Sequence, residues 1–197
     1  MNAPYSPFVQ PSRPMPEQGK WTYDDWAQLP NNGWKYEVLN GDLYMTPPPT
    51  VAHQDASGEL LTQMRMYAKR RKLGKVFCAP IGVRLPNQPV PVEPDIVFVK
   101  TERIEIVTKQ YIEGAPDLVV EVLSPSNWTY DRQEKYEVYR AAGVSEYWIV
   151  DTRAKTIEVF NLEGGAYILS GKFVSGQAAT STALIGFSIP VDEVFAE

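Results

Sequence analysis

The sequence predicts a mixed α/β fold, in which helices flank a mixed β-sheet. Residues 118–123 read LVVEVL, an aliphatic run typical of a strand that is covered on both faces. The turn SPSN follows, then a helix predicted to start near Asp131 and to end at Gly143, then the strand EYWIV. This order predicts a right-handed βαβ unit with parallel strands. Predicted hairpins before and after the unit add antiparallel strands at both ends of the chain.

Helices and a hairpin are predicted for residues 22–74, which precede the βαβ unit. Thr22 is the predicted N-cap of a short helix through DDWAQL. Asn-Gly in WKYEVLNGDLYM predicts a type I′ hairpin, with Glu37 in its first arm. Apolar residues at helical spacing predict a long amphipathic helix over residues 51–72, ended by Gly74. His53 lies in the first turn of that helix, where a capping or packing role is the simpler interpretation.

The remaining strands and turns are predicted from the alternation of apolar and polar residues and from turn-forming residues. VFCAPIGVRL is predicted as one strand, bent at Pro80 and Gly82, and VEPDIVFV as a second strand that opens with Asp95. Residues 101–113 are expected to be irregular or briefly helical. KTIEVFNL and AYILSGKFV flank EGGA as a hairpin, residues 186–190 form a turn, and VDEVF forms a last helical turn.

Length and composition predict one globular domain with an N-terminal arm. The 197 residues, 44% of them hydrophobic, suffice for one core. Residues 1–20 hold five prolines and are expected to be a flexible arm, or one that packs on a partner subunit of a homodimer, whereas residues 21–197 form the domain. No membrane span or secretory signal is predicted. Cys78 is the sole cysteine, which excludes a disulfide framework and favours a reducing, cytoplasmic setting.

The charges are distributed unevenly along an acidic chain. Six basic residues and no acidic residue lie between positions 61 and 75, whereas the rest of the chain carries 13 basic and 24 acidic residues. Such a local basic ridge can contact phosphates even on an acidic protein. Arg70, Arg71 and Lys72 are therefore candidate substrate-binding residues, with a solvated helix end as the alternative.

Two carboxylates on predicted strands form the candidate metal site. Asp95 opens one apolar strand, and Glu121 interrupts the next strong one. A bare carboxylate buried at position 121 would be destabilising by several kcal/mol unless a cation or hydrogen bonds compensate it. Mg²⁺, with Mn²⁺ as a substitute, prefers such hard oxygen ligands. The backbone carbonyl of Val122 is a candidate third ligand if the strand bends there.

Lys135 is the candidate cationic partner of these acids. On the predicted helix it shares a face with Tyr139, which would point it toward the sheet. An ammonium group there could orient a water molecule or stabilise a pentacovalent phosphate. The alternative is a surface pair with Asp131, four residues earlier. Asp117, just before the strand, is interpreted as a turn-closing residue.

Several segments together resemble the Uma2 family, formerly DUF820, of PD-(D/E)XK nuclease-like proteins. They are YEVLNGDLYMTPPP, AHQ, EPDIVFV, GAPDLVVEVLSPS, DRQEKYEVYRAAGVSEYWIVD and TIEVFNL, which span about residues 20–196. The resemblance implies a restriction-endonuclease-like sheet with a metal site at a split between strands. It assigns the Pro-Asp acid to Asp95, the second acid to Glu121 and an early glutamate to Glu37. The superfamily lysine two residues after the second acid is replaced by Leu123, so the resemblance implies that Lys135 takes its place.

These observations favour a Mg²⁺-dependent endonuclease that acts on nucleic acid, with DNA favoured over RNA. A nuclease-fold module that binds nucleic acid or protein with little or no catalysis is the alternative. A purely structural homodimer would explain the arm but neither Asp95 nor Glu121. The presence of all the acids and of Lys135 favours the enzyme.

Overall fold

Six strands form the central sheet of the protein, and helices cover both of its faces. The computed structural model describes residues 14–86, 88–123 and 128–195, with the side chains of all of these except residues 128–132. The helices are α1 (Tyr23–Trp26), α2 (Val51–Arg71), α3 (Trp128–Ala142) and α4 (Val191–Val194), with a 3₁₀ helix at Thr101–Ile106. The strands are β1 (Lys35–Leu39), β2 (Asp42–Thr46), β3 (Gly74–Cys78), β4 (Gly82–Arg84), β5 (Ile96–Lys100), β6 (Tyr111–Glu113), β7 (Leu118–Leu123), β8 (Glu146–Asp151), β9 (Thr156–Glu163), β10 (Ala166–Phe173), β11 (Ala178–Thr180) and β12 (Ser188–Pro190).

The strand order of the central sheet is β10-β9-β8-β7-β5-β3. The pair β7–β8 is parallel and the other pairs are antiparallel, which confirms the predicted βαβ unit and mixed sheet. All six residues of β7 are buried, as the unbroken aliphatic run predicts for a central strand. Helix α2 packs on one face through residues such as Leu60 and Met64. Helix α3 covers the other face through Val138 and Tyr139.

Helix α2 follows the predicted amphipathic pattern. The Thr50 side chain accepts a hydrogen bond from the backbone N–H of His53 and caps the helix. The buried positions recur every three or four residues: His53, Ala56, Leu60, Met64 and Ala68. The helix ends at Arg71, one residue before the predicted end, because Lys72 takes the left-handed conformation (φ 56°) and Gly74 opens β3.

The predicted single strand VFCAPIGVRL is wrong, since it divides into two strands of different sheets. β3 pairs with β5 at the edge of the central sheet, whereas β4 pairs with β6 in a two-stranded parallel sheet. The chain changes direction at the cis Ala79–Pro80 peptide. Proline has no N–H to donate to a sheet, so pairing cannot continue through this position.

The other sequence predictions have mixed outcomes. The Asn40-Gly41 hairpin is confirmed with both residues at positive φ, and so are the hairpin β9–β10, the Thr22 cap and the last helical turn. Helix α3 starts at Trp128 rather than near Asp131. Residues 186–190 are only partly a turn, because β12 pairs with β11. The SPSN segment and residues 1–13 of the predicted arm lie outside the described residues, and no described helix is long and apolar enough to cross a membrane.

Candidate active site

The candidate active site lies where β5 and β7 separate. Their ladder runs from Phe98 opposite Leu118 to Ile96 opposite Val120 and stops there. Beyond that point the Asp95 side chain bridges the two strands, because its Oδ2 accepts a hydrogen bond of 2.8 Å from the backbone N–H of Val122. The separation places Asp95 and the end of β7 at the wall of an open cleft of about 480 Å³.

Glu121 is a buried carboxylate that two side chains of α3 hold in place. Lys135 Nζ lies 2.9 Å from Oε2, and the Tyr139 hydroxyl donates a hydrogen bond of 2.6 Å to Oε1. Lys135 and Tyr139 are four residues apart, so they share the helix face that covers β7. Burial raises the pKa of Tyr139 well above its usual value, and the negative charge of Glu121 raises it further. Tyr139 therefore remains a protonated hydrogen-bond donor to this carboxylate.

Lys135 is buried rather than exposed. The residue is 2% exposed, and Nζ lies 3.3 Å from Glu37 Oε2 in addition to its bond to Glu121. The alternative interpretation, a surface pair with Asp131, is therefore wrong for Lys135; the Asp131 side chain lies outside the described ones. An ammonium group between two carboxylates supplies the charge compensation that burial of Glu121 requires.

Glu37 reaches the cluster from β1 together with Lys35. The two side chains are two residues apart and so lie on one face of the strand. Lys35 Nζ lies 3.3 Å from Glu37 Oε1 and donates a hydrogen bond of 2.7 Å to the carbonyl of Glu93. Burial alone would raise the pKa of Glu37, but the positive charges of Lys135 and Lys35 outweigh it and lower the pKa. The carboxylate is consequently ionised, although it is buried.

His53 is a residue of this cluster that the sequence analysis assigned to capping or packing. Its Nε2 lies 3.3 Å from Asp95 Oδ2, and its buried Nδ1 makes no hydrogen bond within the described part of the chain. Burial favours the neutral imidazole, but the hydrogen bond and charge of Asp95 outweigh this effect and raise the pKa of His53. The same pair lowers the pKa of Asp95 despite burial.

Three signals in the sequence could have identified the missed residues His53, Lys35 and Tyr139. His53 is the only histidine of the chain and lies in the AHQ segment that contributes to the family resemblance. Lys35 precedes Glu37 by two residues on a predicted strand, and this spacing places both side chains on one face. Tyr139 was noted only as a neighbour of Lys135 on the helix, but the same spacing also predicts its approach to Glu121.

The structure brings five of the predicted site residues into one cleft and leaves three outside it. The five are Glu37, Asp95, Glu121, Val122 and Lys135. The cations Arg70, Arg71 and Lys72 do not reach it, because they follow His53 by at least 17 residues along α2 and its C-cap. At 1.5 Å per residue they lie about 25 Å from the acids. Asp117 also lies outside the cleft, where it binds the backbone N–H of Lys100 and the Arg103 guanidinium as a structural residue.

The donor set of the cleft fits a hard divalent cation held mainly by water and two carboxylates. Both contacts of Asp95 use Oδ2, which leaves Oδ1 for a ligand. Glu121 also lines the cleft, where Lys135 and Tyr139 fix the orientation of its carboxylate. No group of three or more His, Cys, Asp or Glu side chains within the described ranges forms a metal cage. Mg²⁺ commonly uses only one or two protein carboxylates, so this arrangement suits Mg²⁺ better than a fully caged metal.

Comparisons with known proteins agree with this architecture. A family model described as "Uma2: Putative restriction endonuclease" matches residues 22–192. The crystal structure of a putative nuclease belonging to DUF820 from Anabaena variabilis superposes with a TM-score of 0.70 at 17% identity, covering 89% of this chain and 97% of that one. The type IIG restriction endonuclease BpuSI aligns with a TM-score of 0.41 at 12% identity, over 75% of this chain and 16% of that one. No curated protein matches significantly. The Anabaena structure confirms the predicted fold class, a mixed sheet flanked by helices.

Proposed function

The chain belongs to the Uma2 family, and from that premise we propose that it is a Mg²⁺-dependent endonuclease that hydrolyses phosphodiester bonds of nucleic acid. Mn²⁺ is expected to substitute for Mg²⁺. DNA is the favoured substrate because the description of the family names restriction endonucleases, which are enzymes that cleave DNA. The observation that carries the proposal is the buried ammonium of Lys135, which lies between Glu121 and Glu37 in a cleft that also holds Asp95.

Asp95 and Glu121 are the residues that would hold the metal. When bound, Mg²⁺ would polarise the phosphate and lower the pKa of a water molecule. Asp95 is prepared for this role because its pKa is lowered and its Oδ2 is fixed by the backbone of Val122. Tyr139 and Lys135 orient the Glu121 carboxylate from the other side. The proposed role of the Val122 carbonyl as a third ligand remains a prediction.

Lys135 and Glu37 are the proposed catalytic partners of these acids. The Lys135 ammonium would orient the attacking water or stabilise the negative charge that develops on the phosphate in the transition state. Glu37 holds Lys135 at 3.3 Å from its own Oε2, and its second oxygen meets Lys35. Lys35 therefore keeps Glu37 ionised, and Glu37 in turn keeps Lys135 beside Glu121.

One observation favours the alternative of a binding module without catalysis. Lys135 and Tyr139 already compensate the charge of Glu121, so the cluster can be stable without any metal ion. A protein that had lost catalysis could keep this cluster as a structural element. The two functions differ in what the cleft does with a divalent cation and with a phosphodiester bond, and both effects can be measured.

The test is nicking of supercoiled plasmid at low salt in Mg²⁺ or Mn²⁺. Asp95→Asn and Lys135→Met should each lower the rate by about 10²–10³-fold, the effect of losing one preorganised electrostatic group. The matched control is Arg140→Met on the same helix, where the side chain pairs with Glu137 at the surface. Rates are divided by the folded fraction measured by circular dichroism. Equal residual nicking by all four proteins would identify a contaminant and leave the binding module as the better proposal.

A further inference from the structure

A second groove, which we call the basic groove, follows the free edge of β3. It has a volume of about 790 Å³ and lies between the C-terminal part of α2 and the 3₁₀ helix. Its cations come from α2, from the C-cap of that helix and from β3: Arg65, Lys69, Lys72 and Lys75. β3 ends the strand order of the central sheet, so its outer backbone edge is unpaired within the described part of the chain.

The charge of the basic groove has no internal compensation. No acidic residue is among those that line it, although the chain as a whole has a net charge of −5. None of its four cations forms an ion pair with any residue that the structure describes. Lys75 alone could be explained without a ligand, because a lysine on an edge strand helps to prevent aggregation. That explanation does not account for three further cations of α2 and its C-cap that line the same groove.

Apolar side chains form part of the same surface. Phe77, Ile81 and Ile104 line the basic groove and are only partly buried. Proteins that bind single-stranded nucleic acid combine cations along the backbone with an aromatic or apolar surface for the bases. A duplex presents mainly phosphates and would leave this apolar surface unused. The combination therefore fits one strand of nucleic acid better than a duplex.

The basic groove adjoins the active-site cleft, since Pro80 lines both of them. A smaller cavity of about 120 Å³ shares Cys78 with the groove and shares His53 and Asp95 with the cleft. Lys69 follows His53 by 16 residues of α2, or about 24 Å, which is the distance that a bound strand would span between the groove and the cleft.

We propose that the basic groove binds the backbone of one nucleic-acid strand and guides it into the cleft. This inference rests on the proposed nuclease function, whose substrate it specifies as a single strand that extends about 24 Å from the cleft along α2. Lys69 and Lys75 contact phosphates, and Phe77 supports a base. Of the three cations predicted from the sequence to bind substrate, only Lys72 lines the basic groove.

The test measures binding of a fluorescent 16-nucleotide single strand in EDTA, so that no metal or cleavage is involved. Lys69→Gln/Lys75→Gln should weaken binding about 10-fold or more at low salt and lower the slope of log K against log salt by about 1.4. The matched control is Lys109→Gln/Arg153→Gln, which removes two exposed cations that do not line the groove. The control should retain the wild-type slope to within about 0.3.

Three ligands identify what the groove recognises. An abasic strand of the same length should bind wild type at least about 5-fold more weakly, because it cannot stack its bases. A 16-base-pair duplex should be less sensitive to the groove variant than the single strand is. The proposal would be overturned if the groove variant, Lys69→Gln/Lys75→Gln, and the control lost equal affinity for the single strand. It would also be overturned if the groove variant lost more affinity for the duplex than for the single strand. Binding of polyglutamate that depends on Lys69 and Lys75, without such dependence for the oligonucleotide, would instead identify an acidic protein partner.

The outcomes separate this inference from the proposed function. If wild type cleaves nucleic acid but the groove variant binds the single strand as tightly as wild type does, the proposed role of the groove is wrong and the nuclease function stands. Groove-dependent binding without cleavage by wild type in Mg²⁺ or Mn²⁺ would refute the nuclease and leave the groove as a nucleic-acid site.

Discussion

Two buried glutamates on adjacent parallel strands show how differently the same side chain can be used. Glu121 on β7 and Glu146 on β8 belong to one βαβ unit and are 2% and 0% exposed. Glu121 is compensated by an ammonium and one hydroxyl, and it lines an open cleft. Glu146 accepts five hydrogen bonds of 2.6–2.8 Å from neutral donors: Trp148 Nε1, Ser181 Oγ, the N–H and hydroxyl of Thr182, and the N–H of Ala183.

The difference indicates which of the two is available for chemistry. A carboxylate has about four lone-pair sites, so five donors saturate Glu146 and leave no capacity for a ligand. Its bonds attach residues 181–183 to β8, which is a structural role. Glu121 lies beside the Lys135 ammonium and lines the cleft. Saturation by neutral donors thus marks the structural glutamate, whereas a cationic partner and a place in the cleft mark the proposed functional one.

The largest expected effect on stability is that of Lys135→Met. Without its ammonium, Glu121 and Glu37 remain buried with reduced compensation, which should lower the free energy of unfolding by about 3–5 kcal/mol. Urea denaturation in EDTA measures this change. Arg140→Met, which removes a partly exposed cation of the same helix, should change it by less than about 1 kcal/mol. Similar values for the two variants would show that Lys135 does not carry the charge compensation of the cluster.

Glu146→Gln should have an intermediate effect that is confined to stability. The amide keeps one acceptor oxygen but directs N–H groups at existing donors, which should be destabilising by about 1–3 kcal/mol. Nicking per folded molecule should equal that of wild type. A loss of nicking comparable to that of Asp95→Asn would mean that the two glutamates are not functionally distinct.

Stabilisation of the fold by a divalent cation should distinguish Glu121 from Glu146 in a second way. Divalent cation at ~5–100 times Kd should stabilise wild type and Glu146→Gln by about 1–3 kcal/mol. Glu121→Gln should lose this increment, because it removes one of the two proposed metal ligands. Thermal denaturation with and without Mg²⁺ or Mn²⁺ measures the increment. Equal stabilisation of Glu121→Gln and wild type would contradict a metal site shared by Asp95 and Glu121.

The smallest expected effect is on the free energy of unfolding at acidic pH, because it arises from the titration of one carboxyl group. The pKa of Glu37 is lowered in the folded protein, since Lys135 and Lys35 outweigh the effect of burial. Its stabilising contribution is therefore complete above the unfolded pKa of about 4.3 and is lost as the pH falls through the lowered folded value. The stability difference between wild type and Glu37→Gln should shrink over that range in urea titrations. A difference independent of pH would contradict the lowered pKa.

The sequence by itself determined the elements whose signals are local. The aliphatic run of β7, the Asn40-Gly41 turn and the spacing of apolar residues in α2 each express backbone and burial preferences within a few residues. They predicted the βαβ unit, the hairpins and the placement of Glu121 on one strand and of Asp95 at the start of its neighbour. The family resemblance added the role of Glu37, which no local pattern could supply, and agreed with the role that the helical spacing indicated for Lys135.

Only the tertiary structure decided which charges meet. Lys135 could have pointed outward or inward from the same helix, and the packing of α3 on β7 selects the buried position. His53 meets Asp95 because the start of α2 lies over the separated strands, whereas the length of α2 carries Arg70, Arg71 and Lys72 to its far end. Glu146 and residues 181–183 are 35 or more positions apart, and only folding brings them together. Such contacts depend on long-range packing, whose energy is not encoded in the periodicity of any one segment.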